Sequence, residues 1–180
     1  MIKSLARLAH LIDAVNEYLG RGLLWVSLLL VLTQFGIVIL RYVFGITFAW
    51  LTESLVYMFT FIFMATAGYT LLHQGHVRID IFYEKLSAKG KAWVNIAGAL
   101  LFLIPTCTLI VWGATPYVEA SWAVREGSRE TNGINALYLL KSVILVFAWA
   151  LILQGLSIII HAILYLSGHE LLHEEKPRVF

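Results

Sequence analysis

The stretch with the most explicit chemistry is His169-Glu170-Leu171-Leu172-His173. Two histidines one helical turn apart around a glutamate match the zinc-protease pattern, in which both imidazoles bind metal and the carboxylate activates water. A catalytic zinc also needs a third protein ligand and a dry, shaped cleft. After His173 the chain runs straight into Glu174-Glu175-Lys176-Pro177-Arg178. Glu174 or Glu175 offers an oxygen, but no scaffold remains to hold the geometry. An integral-membrane zinc peptidase built on His169, Glu170 and His173 is thus an alternative that the context disfavours.

Haem is a second alternative. His73, His76 and His161 fall toward the same ends of two apolar runs, and a four-helix membrane bundle can hold haem between facing histidines. If the last run ends near Gly168, however, His161 sits about 10 Å deeper than the end of the other. Snorkelling or packed histidines explain these positions more simply than a haem-binding membrane anchor does. The apolar runs contain no Asp, Glu, Lys or Arg; Gln34, Gln154, Ser157 and His161 stand out among their polar residues. The last three recur at i, i+3 and i+7, one face of a helix suited to hydrogen bonding a neighbour. Proton relays and ion pathways place charged groups inside the membrane, and carriers show matched, Gly/Pro-broken crossings. Neither mark is present. Cys107 lies in an apolar run and reads as a small buried hydrophobe.

These residues must be positioned by lipid-immersed helices. Hydrophobic residues make up 60 % of the 180 and charged residues 13 %, where soluble domains run near roughly 45–50 % and 25 %. A soluble fold of this size cannot hide that much apolar surface. No basic stripe interleaved with aromatics occurs, which excludes nucleic acid as a sensible partner. Gly22–Leu40 and Ser54–Leu72 are each 19 residues long and uncharged, close to the ~20 that a helix needs to cross a hydrocarbon core of ~30 Å. Between them, Arg41 to Glu53 must form a tight turn at one membrane surface, with Tyr42 and Trp50 at headgroup level. The third run, Ala92–Val118, has 27 residues and must tilt, kink at Pro105 or project beyond the core. A fourth run spans Ser142–Gly168. Asn132-Gly133 signals a turn in the connection before it.

The expected fold is an all-α integral membrane protein with four transmembrane helices plus an N-terminal amphipathic interfacial helix. That first helix covers 1–20, with Ile2, Leu5, Leu8, Ile12, Val15 and Leu19 on one face and Lys3, Arg7, His10, Asp13 and Glu17 on the other. The transmembrane domain covers 21–168, with helices at about 22–41, 53–73, 92–118 and 140–166, and 169–180 forms a cytoplasmic tail. With the N-terminus inside, the inner segments hold nine of the 13 Lys and Arg and the outer segments four. The positive-inside rule therefore places both termini in the cytoplasm.

Arg41-Tyr-Val-Phe at the end of the first crossing, Trp50-Leu-Thr-Glu53 at the start of the second, and Gly75-His-Val-Arg-Ile-Asp80 after it resemble the small, DctQ-type membrane subunit of tripartite ATP-independent periplasmic (TRAP) transporters. The resemblance covers the four crossings and leaves out the first helix and the tail. It implies a non-enzymatic accessory subunit of the bacterial inner membrane. In this family a large multi-spanning membrane subunit carries the solute and sodium sites, and a periplasmic solute-binding protein delivers the solute, commonly an organic acid. No cofactor is expected on this chain; sodium ions belong to the large subunit. Membrane lipids are the remaining partner. The expected interface residues are Arg41, Tyr42, Trp50 and Glu53 at the hairpin, where Arg41 is expected to pair with Glu53, and Gly75, His76, Arg78 and Asp80 as an anchor beyond the second crossing. The outer loop from Glu119 to Asn135 is the expected contact for the receptor.

Overall fold

A computed structural model describes residues 2–76, 83 and 85–169. All regular structure among them is helical. Helix α1 is Ile2–Tyr42, α2 is Ala49–Ala65, α3 is Ala67–Leu72, and α4 is Ala88–Gly98. A π-helical segment, Ala99–Leu103, joins α4 to α5, Ile104–Ala123, and α6 is Leu137–Leu166. Among the described residues, four helical stretches are long and apolar enough to cross a membrane: Ile2–Tyr42, Ala49–Leu72, Ala88–Ala123 and Leu137–Leu166.

The hub is α6, which packs against every other helix. Its buried residues include Val143, Ala148, Leu151, Gln154, Gly155, Ser157, His161 and Ala162. Ala67, Cys107, Ala148, Leu151 and Ile152 form the largest apolar cluster, so Cys107 is buried as its setting implied. Small residues set the approach distances. A Cβ on Gly68 would overlap Asn16, one on Gly20 would overlap the Tyr69 ring, and one on Gly155 would come within 2.8 Å of Leu103. The Ala65-Thr66-Ala67-Gly68 segment thus presses α3 onto α1, as small residues do in membrane bundles.

Each break has a local cause. The hairpin turn after α1 uses Gly45 at φ +66°, a region open to glycine without strain, and the Ile46 amide returns to the Leu40 carbonyl at 2.9 Å. Between α2 and α3, the Thr66 hydroxyl bonds the Ile62 carbonyl at 2.7 Å; such back-bonding bends helices. Pro105 has no N–H and its ring crowds the carbonyl four residues earlier. The wider π turn at Ala99–Leu103 lies directly before it and absorbs the mismatch. The over-long third run, expected to tilt, kink at Pro105 or project, is a helical stretch Ala88–Ala123 with a π-helical turn just ahead of Pro105.

Residues 2–20, expected to stand apart as an interfacial helix, instead run unbroken into the first crossing as the front half of α1. Arg21 bonds Glu17 one turn back at 2.7 Å, and Gly20 seats against Tyr69, so Gly20-Arg21-Gly22 does not end the helix. The inward face is also not the one that hydrophobicity suggests. Ala9, Ile12, Asn16 and Gly20 are buried, while Leu8, Leu11 and Val15 are exposed. Polar groups on α6 draw Asp13 and Asn16 inward while Lys3, Arg7 and His10 stay exposed, because a buried polar group without a partner is costly.

Candidate functional site

Two polar clusters hold the bundle together, one near each membrane face. Glu53 and His73, Lys141 and His161, and Arg21 and Arg41 are each twenty residues apart, about 30 Å of helix, which is one hydrocarbon thickness. Glu53, Lys141 and Arg41 mark the hairpin face. Glu17, His73 and His161 mark the opposite face, where the ends of α1 and α6 at Ile2 and Leu166 also lie.

On the terminal face, α1 contributes His10, Asp13, Asn16 and Glu17 at helical spacing, and α6 contributes Gln154, Ser157 and His161. Asn16 Nδ2 donates to Gln154 Oε1 at 2.7 Å, in full burial. Gln154 Nε2 and the Ser157 hydroxyl donate to Asp13 Oδ1 at 3.1 and 2.6 Å. His161 Nε2 meets Asp13 Oδ2 at 2.9 Å. The i, i+3, i+7 face of α6 therefore does hydrogen-bond a neighbouring helix, and that neighbour is the front half of α1. One turn further along α1, Glu17 takes His73 Nε2 at 2.6 Å and Arg21 Nε at 2.7 Å. His73 and His161 thus face two different carboxylates on α1 rather than each other, which does not favour a shared haem. Of the tail motif, His169 is exposed with Nδ1 against the Ser167 carbonyl at 2.8 Å; Glu170 and His173 lie outside the described residues.

On the hairpin face, Glu53 clamps the loop between α5 and α6. Its carboxylate accepts from the Ser128 hydroxyl and, at 2.6 Å, from the Ile134 amide. The turn at Asn132-Gly133 makes this possible: Asn132 adopts φ +68°, and a Cβ on Gly133 would overlap Ser128 and crowd Glu53. A second clamp joins Glu126 to Lys141 and to the Ser121 hydroxyl at 2.7 Å. The Lys141 ammonium lies 4.1 Å from the Tyr117 ring centroid. Trp122 Nε1 donates to Ser142 at 2.8 Å and its ring meets Tyr138 edge-on at 4.7 Å. The hydrogen bond from Lys141, then that from Ser121, holds the Glu126 carboxyl below the usual glutamate range.

The expected Arg41–Glu53 pair is not formed; this is a correction. Arg41 is exposed at the mouth of the hairpin while Glu53 is half-buried, and Glu53 instead finds an amide and a hydroxyl from a loop more than seventy residues away. A fixed amide dipole outcompetes an exposed ion pair, whose worth is about 0–1 kcal/mol. Tyr42 is exposed and Trp50 half-exposed in the first turn of α2, as headgroup anchors would be. Gly75 follows α3, its amide donating to the Thr70 carbonyl at 2.8 Å, and His76 is exposed beside it. Arg78 and Asp80 lie outside the described residues. The residues that sequence reasoning missed are Asp13, whose place on the polar stripe of α1 gave no sign of an inward orientation, and Asn16, Glu126, Ser128 and Lys141.

These geometries define an integral-membrane helical bundle whose polar side chains are spent on holding helices and loops to one another. Residues 23–164 match the family model described as tripartite ATP-independent periplasmic transporters, DctQ component. The chain belongs to that family, the small permease component of TRAP transporters. No curated protein and no solved structure matched it.

Proposed function

We propose that this chain is the accessory small permease subunit of a TRAP-type secondary transporter in the bacterial inner membrane, with both termini cytoplasmic. It braces the large membrane subunit, which carries the solute and sodium sites, during sodium-coupled uptake of an organic acid delivered by a periplasmic solute-binding protein. The single observation that carries this reading is the family match over 23–164. The fold supports it in two ways. The described polar groups within the bundle bind one another rather than line a passage, and the outer surface is broad and apolar. The Lys and Arg bias favours cytoplasmic termini, which turns the clamped loop between α5 and α6 toward the periplasm, where a receptor docks.

The test is reconstitution. Co-expressed with the large subunit, the chain should co-purify with it, and proteoliposomes holding both should accumulate solute only when receptor and a sodium gradient are supplied. The lone chain should accumulate none. Uptake by the lone chain, or failure to co-purify with the large subunit, would overturn the proposal.

A further inference from the structure

His10, Asp13 and His161 bring three metal-ligating side chains together at the terminal face, with one ligand atom of each within 4.8 Å of the others. His10 and Asp13 are at i, i+3 on α1 and share a face; His161 comes from α6, with its ring 5.3 Å from that of His10. Carboxylate and histidine at this spacing on one helix, completed by a ligand from a facing helix, is how bundles assemble metal sites. The Asp13 carboxylate is already oriented. Gln154 and Ser157 occupy Oδ1, leaving Oδ2 toward His161, and such outer partners are what hold a ligand in place for a metal.

Charge adds a reason. Among the described residues Asp13 pairs with no Lys or Arg; His161 Nε2 is 2.9 Å from its carboxylate, and the Asp13 side chain is only 14 % exposed. A carboxylate held at the edge of the hydrocarbon needs a cation, which either a protonated imidazole or a metal ion supplies. We propose that His10, Asp13 and His161 bind one divalent transition-metal ion of the zinc class, linking α1 to α6. Two imidazoles and one carboxylate suit zinc rather than calcium or magnesium, which take oxygen ligands. Zinc bonds of about 2.0–2.2 Å place tetrahedral ligand atoms about 3.3 Å apart, so the 2.9 Å Asp13–His161 contact opens by a few tenths of an ångström as the ion replaces the bridging proton. His10 is the solvent-exposed member and provides the entry side. Asp13 and His10 precede the family-matched segment and His161 lies within it, and the argument for the site uses only the geometry of these three residues.

The full chain in detergent, stripped with chelator and dialysed, is titrated with Zn²⁺ by calorimetry and with Co²⁺ by absorbance. One equivalent should bind, and Co²⁺ should give the intense visible bands of a four-coordinate site. His10→Gln, at an exposed position that leaves the fold intact, should weaken binding on the order of tenfold or more, and Ser157→Ala, which loosens only the orienting shell, by about tenfold. The double variant His169→Ala, His173→Ala should bind as the parent does. Absence of saturable binding, or binding that survives His10→Gln and disappears with the tail histidines, would overturn the site.

Discussion

Asn16 and Gln154 meet in full burial, Asn16 giving its amide to the Gln154 carbonyl oxygen while Gln154 passes its own amide on to Asp13. Cutting this chain at its centre with Gln154→Leu leaves Asn16 and Asp13 each short of a partner. Interhelical hydrogen bonds in membranes contribute about 0.6–2 kcal/mol, so the variant should lower the unfolding free energy in detergent by about that amount, read from a denaturant midpoint. Glu53 offers a sharper comparison. Glu53→Ala should release the loop between α5 and α6, making residues 124–136 accessible to protease, while Arg41→Ala should leave them protected because Arg41 holds nothing there. Equal loosening by both would restore the ion pair that the structure lacks. Glu126 adds a pH dependence. Its folded carboxyl titrates below its ordinary value of 4.5, so its contribution is complete above that value and is lost as the pH falls through the folded value. Loop amides, corrected for intrinsic exchange, should keep their protection through neutral and mildly acidic pH and lose it only below about 4.5. Glu126→Gln should abolish that step.

Among the elements, α6 sets the packing of the others. Gly155 lets the π segment approach it, and Gly68 does the same for α1 against α3. Gly68→Leu should drive the side chain into Asn16 and push α1 away, at about 1–3 kcal/mol for overpacking, again measured as a shift in the denaturation midpoint. The front half of α1 shows why a helical pattern does not name its own inward face. In water the apolar stripe would point to the core. Here Leu8, Leu11 and Val15 stay exposed on the outside of the bundle, and Asp13 and Asn16 turn toward the hydrogen bonds of α6. Hydrophobic periodicity was legible; its direction depended on the partner.

For the molecule as a whole, lipid stands in for a protein core. Trp25, Phe35, Phe102 and Trp112 are largely exposed on the bundle surface, while alanines such as Ala65, Ala67, Ala148 and Ala162 share the interior with Leu151, Ile152 and Leu164. Val31 lies midway between Arg21 and Arg41 and is exposed. Val31→Asp should therefore oppose membrane insertion by about 2.5–3.5 kcal/mol, seen as loss of the chain from the membrane fraction. The same apolar exterior leaves ample surface for a large membrane partner.

The run lengths and the scarcity of charge determined four helices long and apolar enough to cross a membrane, and the Lys and Arg bias a proposed orientation, because insertion energetics depend on local composition. The i, i+3, i+7 face of α6, the small-residue patch before Gly68 and the Asn132-Gly133 turn were equally legible, since each is a local pattern. Only the tertiary structure decided which groups those patterns meet: Asp13 and Asn16 opposite the polar face of α6, the Ile134 amide rather than Arg41 against Glu53, and one continuous α1 in place of two helices. Those pairings join residues up to 148 apart, and what selects them is the competition among all available donors and acceptors once the helices have packed.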